Sequence, residues 1–194
     1  NVPLQAAEHY YLLTQPIDGI HADLPIIEDF ERYAYFREEV GGLLVGFFEP
    51  IAVPWGVGGI PKNFAFGEIK PDWDRMMPYV EMSMGRIPAL KEAGIHKFFC
   101  GPESFTPDGK PLLGEAPELK NFFVAAGLNS IGILRGGGVG RIMAQWIVDG
   151  YCPVESHDID IARCQPYQGT QKFLEDRTVG TLGLQYQLIY PNFS

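Results

Sequence analysis

The stretch Gly127-Leu128-Asn129-Ser130-Ile131-Gly132-Ile133-Leu134-Arg135-Gly136-Gly137-Gly138-Val139-Gly140 follows an apolar run at 121–126 and leads into an amphipathic one. In that second run Val139, Ile142, Met143, Trp146 and Ile147 fall at helical spacing, and Gly150 is placed to close the helix. The pattern predicts a strand, a glycine-rich loop over 127–140 and a helix over 138–149. Such an arrangement turns backbone N–H groups and a positive helix end toward an anion or an electron-rich ligand. Neither familiar nucleotide motif is completed: GxGxxG begun at Gly136 needs glycine where Arg141 stands, and GxxxxGK[ST] is absent. On pattern alone two readings stay open. The glycines let a flat group approach the backbone, or they permit tight helix–strand packing.

Upstream, residues 9–14 are rich in β-formers and end before Pro16. Residues 23–27 are a short extended piece. Residues 32–38 alternate, with Tyr33, Tyr35 and Arg37 on one face and Ala34 and Phe36 on the other. Gly41 and Gly42 then turn the chain into an apolar strand at 43–48, which predicts a hairpin. Pro50, Pro54, Pro61 and Pro71, interleaved with glycines, make 50–71 a long irregular loop. Asp72 is an N-cap for a helix carrying Trp73, Met76, Met77, Val80, Met84 and Ile87 on one stripe. Pro78 kinks that helix or lies near its start. Its methionines read as a packed core face. Residues 95–100 form another strand, 106–111 a turn, 170–182 a helix and 184–190 a strand.

The chain has 194 residues, 15 Lys+Arg against 24 Asp+Glu and a net charge of −9. Nucleic acid and anionic membrane surfaces both need a basic footprint, so neither is an expected partner. No apolar run approaches the ~20 residues of a membrane span. No secretory signal is recognisable, and three unpatterned cysteines at 100, 152 and 164 fit a reducing compartment. The four histidines are dispersed and form no metal-ligand pattern. An opening of Asn1-Val2-Pro3 is expected for a piece of a longer polypeptide. The predicted class is α+β, divided as an antiparallel sheet with a helix at 72–90 (1–100), a strand–loop–helix region (101–152) and the start of another unit (153–194).

Several segments together carry a family resemblance. They are Phe105-Thr106-Pro107-Asp108-Gly109-Lys110-Pro111-Leu112-Leu113-Gly114, residues 121–132, Gly136-Gly137-Gly138-Val139-Gly140 and Trp146-Ile147-Val148-Asp149-Gly150. Their order resembles the C-terminal flavin-domain signature of the dimethylglycine and sarcosine dehydrogenase group, within the D-amino-acid-oxidase superfamily. The strands at 9–14, 35–37 and 42–46 resemble that group's substrate-binding sheet. The resemblance covers residues 8–163, and the tail resembles the entry to the linker before a folate-binding half.

It implies FAD as cofactor, with Gly127, Leu128, Asn129, Ser130, Gly132, Ile133 and Leu134 lining the isoalloxazine ring. Thr106, Pro107 and Asp108 are implied to form a buried turn beside it. His9 and Tyr35 match the family's substrate-side histidine and tyrosine, with the implied task of binding an amino-acid substrate and holding its amine neutral for hydride transfer. Arg37 is a candidate for the substrate carboxylate, or for an ordinary ion pair with Glu38 or Glu39. The family's dinucleotide-binding unit would lie N-terminal to this region, so the isolated chain is expected to hold FAD poorly. The implied compartment is the mitochondrial matrix or cytoplasm. Residues 102–108 and 127–130 equally resemble the regulatory subunit of pyruvate dehydrogenase phosphatase, which implies a non-catalytic alternative.

Overall fold

The computed structural model describes residues 1–187. In chain order its strands are β1 (Gln5–Thr14), β2 (Ile27–Asp29), β3 (Ala34–Glu39), β4 (Gly42–Phe47), β5 (Pro54–Trp55), β6 (Ile95–Phe105), β7 (Leu112–Glu115) and β8 (Phe123–Ala126). Its α-helices are α1 (Trp73–Arg86), α2 (Gly132–Asp149) and α3 (Gln171–Leu184). The expected α+β class is what forms: helices with antiparallel strand pairing in both described sheets.

The chain divides into two compact units. One comprises Glu8–Ala52, Pro61–Pro102 and Leu182–Ser194. Within it, β2, β3, β4 and β1 lie side by side, with Tyr35 opposite Gly46 on one side of β4 and Tyr11 opposite Gly46 on the other. The alternation read in the sequence appears as burial: Ala34 and Phe36 are buried, while Tyr35 and Arg37 are partly exposed. α1 lays Met76 and Val80 on the buried face, joining Tyr10, Leu12, Phe36, Val45, Phe47 and Phe98 in one core. Each large side chain removed from water there contributes about 1.5–3 kcal/mol. Met77 and Trp73 are each 39 % exposed, so the methionine stripe is only partly core. Asp72 caps α1 as expected, its side chain accepting from the Arg75 N–H at 3.0 Å, and Pro78 lies inside the helix.

The other unit comprises Asn1–Ala7, Val53–Ile60 and Glu103–Thr181. The start of β1 pairs with β5, Ala6 opposite Trp55, so the Pro-rich segment is not wholly irregular. β7 and β8 form a hairpin around which Leu112, Val124 and Ile161 pack with Val2 and Leu4. Arg163 locks the turn between β6 and β7. It donates to both Asp108 carboxylate oxygens, at 3.0 and 3.1 Å, and to the Lys110 and Pro111 carbonyls.

Two expectations are corrected. α2 begins at Gly132, not 138, so Gly136, Gly137, Gly138 and Gly140 are helical and not loop. The strand expected at 184–190 does not form at its start, because Leu184 ends α3 and 185–187 are turn and bend; residues 188–190 lie outside the described residues.

Candidate functional site

In the unit containing α2, the turn before the helix is built by left-handed backbone. Gly127, Asn129 and Ser130 have φ of 64°, 50° and 70°. Gly127 is obligatory twice over, since a Cβ there would stand 2.3 Å from Thr106 Cγ2. Asn129 is 2 % exposed and ties the turn to the end of β6: its Oδ1 accepts the Thr106 N–H at 2.9 Å, and its Nδ2 donates to the Gly127 carbonyl at 2.6 Å. Ser130 Oγ donates to Glu103 Oε2 at 2.9 Å.

The helix that follows has Ile131 at its N-cap with no side-chain cap and no acidic residue in its first turn. Its first N–H groups therefore lack intrahelical or capping acceptors, and the positive end of its dipole is uncovered. Ile133 and Leu134 are 103 % and 83 % exposed, and a Cβ built on Gly136, Gly137, Gly138 or Gly140 meets nothing within 4 Å. Met143 is the only α2 residue that is buried. Farther along, the Trp146 ring lies on Gly114 (φ 104°), where a Cβ would come within 2.6 Å of it. The expected residues Gly127, Leu128, Asn129, Ser130, Gly132, Ile133 and Leu134 thus share one turn and helix start. That donor set fits the electron-rich edge of a flavin ring: small residues, exposed apolar side chains and unpaired-in-helix N–H groups at a positive end.

In the unit containing the sheet, the structure brings His9 and Tyr35 together through Phe48. The His9 ring meets Phe48 edge-on at 5.0 Å, and the Tyr35 ring is 6.0 Å from Phe48. His9 Nε2 lies 3.1 Å from the Phe47 carbonyl; a carbonyl only accepts, so Nε2 carries a hydrogen. Tyr35 lies flat across Gly46, where a Cβ would stand 2.0 Å from its ring. Phe48 stacks in turn on Tyr186 at 4.3 Å. Arg37 pairs with Glu39 at 2.6 Å on its own strand and is 43 % exposed.

Sequence reading missed the charged cluster behind this face. Arg75 Nη2 donates to Glu8 Oε2 at 2.9 Å, and its Nη1 donates to Glu49 Oε1 at 3.0 Å. Glu49 is fully buried. A glutamate two residues past an apolar strand of six buried residues was the available signal. Cys100 is buried near this cluster, and burial pushes its thiol up to about 11, leaving little thiolate near neutrality. Among the described residues no group of three or more His, Cys, Asp or Glu side chains is placed to hold a metal ion, and no helix is long and apolar enough to cross a membrane.

A turn and helix start of this kind in one unit, with an antiparallel sheet in the other, are the elements of a flavoprotein fold. Residues 1–146 match the family described as FAD dependent oxidoreductase, and residues 149–193 its central domain. The chain belongs to the FAD dependent oxidoreductase family, whose cofactor is FAD. It is 41 % identical over 191 residues to the 4-methylaminobutanoate oxidase (formaldehyde-forming) of Paenarthrobacter nicotinovorans, covering 98 % of this chain and 23 % of that protein. It is 36 % identical over 192 residues to human mitochondrial sarcosine dehydrogenase, covering 98 % of this chain and 21 % of the relative. It is also 36 % identical over 194 residues to the mouse mitochondrial pyruvate dehydrogenase phosphatase regulatory subunit, covering 100 % and 22 %. The chain therefore spans less than a quarter of these relatives' lengths. The fold matches L-proline dehydrogenase from P. horikoshii with a TM-score of 0.66 at 24 % identity, over 84 % of this chain and 41 % of that one.

Proposed function

We propose that this chain is part of a flavin-dependent enzyme that oxidises an N-methylated amino acid such as sarcosine or dimethylglycine. The observation that carries the reading is the uncapped start of α2 behind the left-handed Asn129–Ser130 turn. There, residues 127–130 and 132–134 would hold the flavin ring by backbone N–H groups and apolar contact. When bound, FAD supplies the hydride acceptor. The positive helix end then favours the negative charge that reduction brings. Residues 101–152 form the C-terminal part of the flavin domain in this reading, and 1–100 the substrate sheet.

His9 and Tyr35 face the substrate. His9 takes the proton that an ammonium substrate must lose before a carbon-bound hydride can leave. Arg37 binds the substrate carboxylate, and to do so it must exchange its bond with Glu39 for the ligand. The names of these two relatives support a small N-methyl amine that also carries a carboxylate, and the name of the human sarcosine dehydrogenase supports a mitochondrial location. A second reading, a non-catalytic regulatory subunit, is favoured by the match to the phosphatase regulatory subunit across the whole chain.

The full-length flavoprotein separates the two. Anaerobic addition of sarcosine, dimethylglycine or 4-methylaminobutanoate is expected to bleach the oxidised flavin band with one of them. An intact flavin band that none of the three bleaches rejects the oxidase reading and favours the regulator.

A further inference from the structure

Alternation along β1, β3 and β4 gives the sheet one face that packs on α1 and another that faces away from it. His9, Tyr35 and Arg37 stand on the second face. Phe48 continues that face just past β4, where its N–H donates to the Tyr33 carbonyl at 2.8 Å. The register fixes their order. Arg37 lies opposite Leu44 and Tyr35 opposite Gly46, with Phe48 two residues beyond Gly46. Two residues of strand span about 6.6 Å. Tyr35 is thus flanked by Arg37 on one side and, on the other, by His9 and Phe48, whose rings touch edge-on at 5.0 Å.

The Phe48 end of this row is braced. Phe48 is buried although it stands on the face away from α1, and Tyr186 stacks on it at 4.3 Å with the ring planes 8° apart. Tyr186 is buried too, with the Phe30 ring 5.0 Å from its own. The backbone that carries Tyr186 is fixed in turn. Its N–H donates to the Gly183 carbonyl at 3.0 Å, and a Cβ on Gly183 would stand 2.4 Å from Pro50 Cα, so the end of α3 presses on the segment after β4. Burial, then the charges of Glu28 and Tyr35, hold the Tyr186 phenol well above the ordinary tyrosine value. What it presents to Phe48 near neutral pH is a flat, uncharged ring.

We propose that Phe48 is the specificity-determining residue for the group on the substrate nitrogen, and that Tyr186 is the positioning residue that holds it in place. The inference rests on the reading that Arg37 takes the substrate carboxylate while His9 and Tyr35 meet the amine. With those two ends so placed, the substituent on nitrogen extends toward Phe48. A ring stacked on a second buried ring has nowhere to recede, so a methyl fits and a longer chain collides. Phe48 lies in the stretch matching FAD dependent oxidoreductase and Tyr186 in the stretch matching its central domain, so the two family segments build this wall jointly.

The test uses the full-length flavoprotein and anaerobic flavin reduction. The N-methyl amine that bleaches the flavin is compared with the analogue that carries N-propyl in its place. The quantity read is the ratio of their kcat/KM values. Leucine at either position keeps a buried apolar side chain but removes the stack. Phe48→Leu and Tyr186→Leu are each expected to lower the ratio about tenfold, mainly through a lower KM for the N-propyl compound. Tyr186→Phe keeps the stack and is expected to keep the ratio.

A purely structural role would slow both amines alike. An unchanged ratio in either leucine variant therefore overturns the proposal and leaves the oxidase reading standing. A ratio that falls as far in Tyr186→Phe as in Tyr186→Leu overturns it as well. A flavin that no N-methyl amine bleaches removes the oxidase reading, and this proposal with it.

Discussion

Asn129 combines a left-handed backbone, which asparagine tolerates better than most residues, with a side chain that bonds on both sides. Oδ1 holds the buried Thr106 N–H, and Nδ2 reaches Thr106 Oγ1 at 3.1 Å and the Gly127 carbonyl. Asn129→Ala strands the Thr106 N–H in the interior and puts a Cβ-only residue in left-handed backbone. It is expected to lower unfolding free energy by about 2–3 kcal/mol, measured by urea titration with an unchanged slope. Individual residues were legible here where chemistry and backbone demand coincide. Asn129, Ser130 and the glycines stand out because few residue types suit that turn. Glu103 and Glu49 were not legible, because a glutamate earns its role only through partners 27 and 26 residues away in the chain, Ser130 and Arg75.

Among the elements, α2 departs most from its sequence appearance. Three consecutive glycines argue for a loop, yet the helical ladder is under way before them, with the Arg135 N–H bonded to the Ile131 carbonyl at 3.1 Å. Helix propensity is a weak prior that context overrides. The glycines still weaken the helix. Gly137→Ala adds a Cβ that touches nothing, so it is expected to raise stability by about 0.5–1 kcal/mol, seen as a higher melting temperature of the isolated chain. A lower melting temperature would show that this glycine is needed for a close contact. By contrast, the β3–β4 hairpin and the capped start of α1 were readable, since alternation and Asp72 each act within a few residues. β7 escaped because its four residues, wedged after Pro111, are a strand only through pairing with β8.

For the whole molecule, the charge buried at Glu49 makes stability depend on pH in a defined direction. Its folded pKa lies above the unfolded value, so the folded state holds the proton more tightly. The stabilising contribution is complete below the ordinary glutamate value and is lost as pH rises through the raised folded one. Urea titrations from about pH 4 to 8 are expected to show unfolding free energy falling over that window, with a flatter profile in Glu49→Gln. An identical profile in the two proteins would mean that Glu49 ionises in the fold as readily as in the unfolded chain. The α+β class was legible from strand alternation and helix periodicity, but the division into two units was not. Neither unit is a continuous segment, and the chain passes between them at 7/8, 52/53, 60/61, 102/103 and 181/182.

That interleaving bears on how the protein is made. Residues 1–7, with Val2 and Leu4 committed to the core around Leu112 and Val124, leave the ribosome well before anything they pack against. The rest of their unit begins in earnest at Glu103, so at ~5–20 residues per second these apolar side chains wait roughly 5–20 s for their partners. The nascent chain is therefore a natural client for a chaperone during that interval. Its two units are expected to complete together, once the chain has passed 181/182, instead of one after the other.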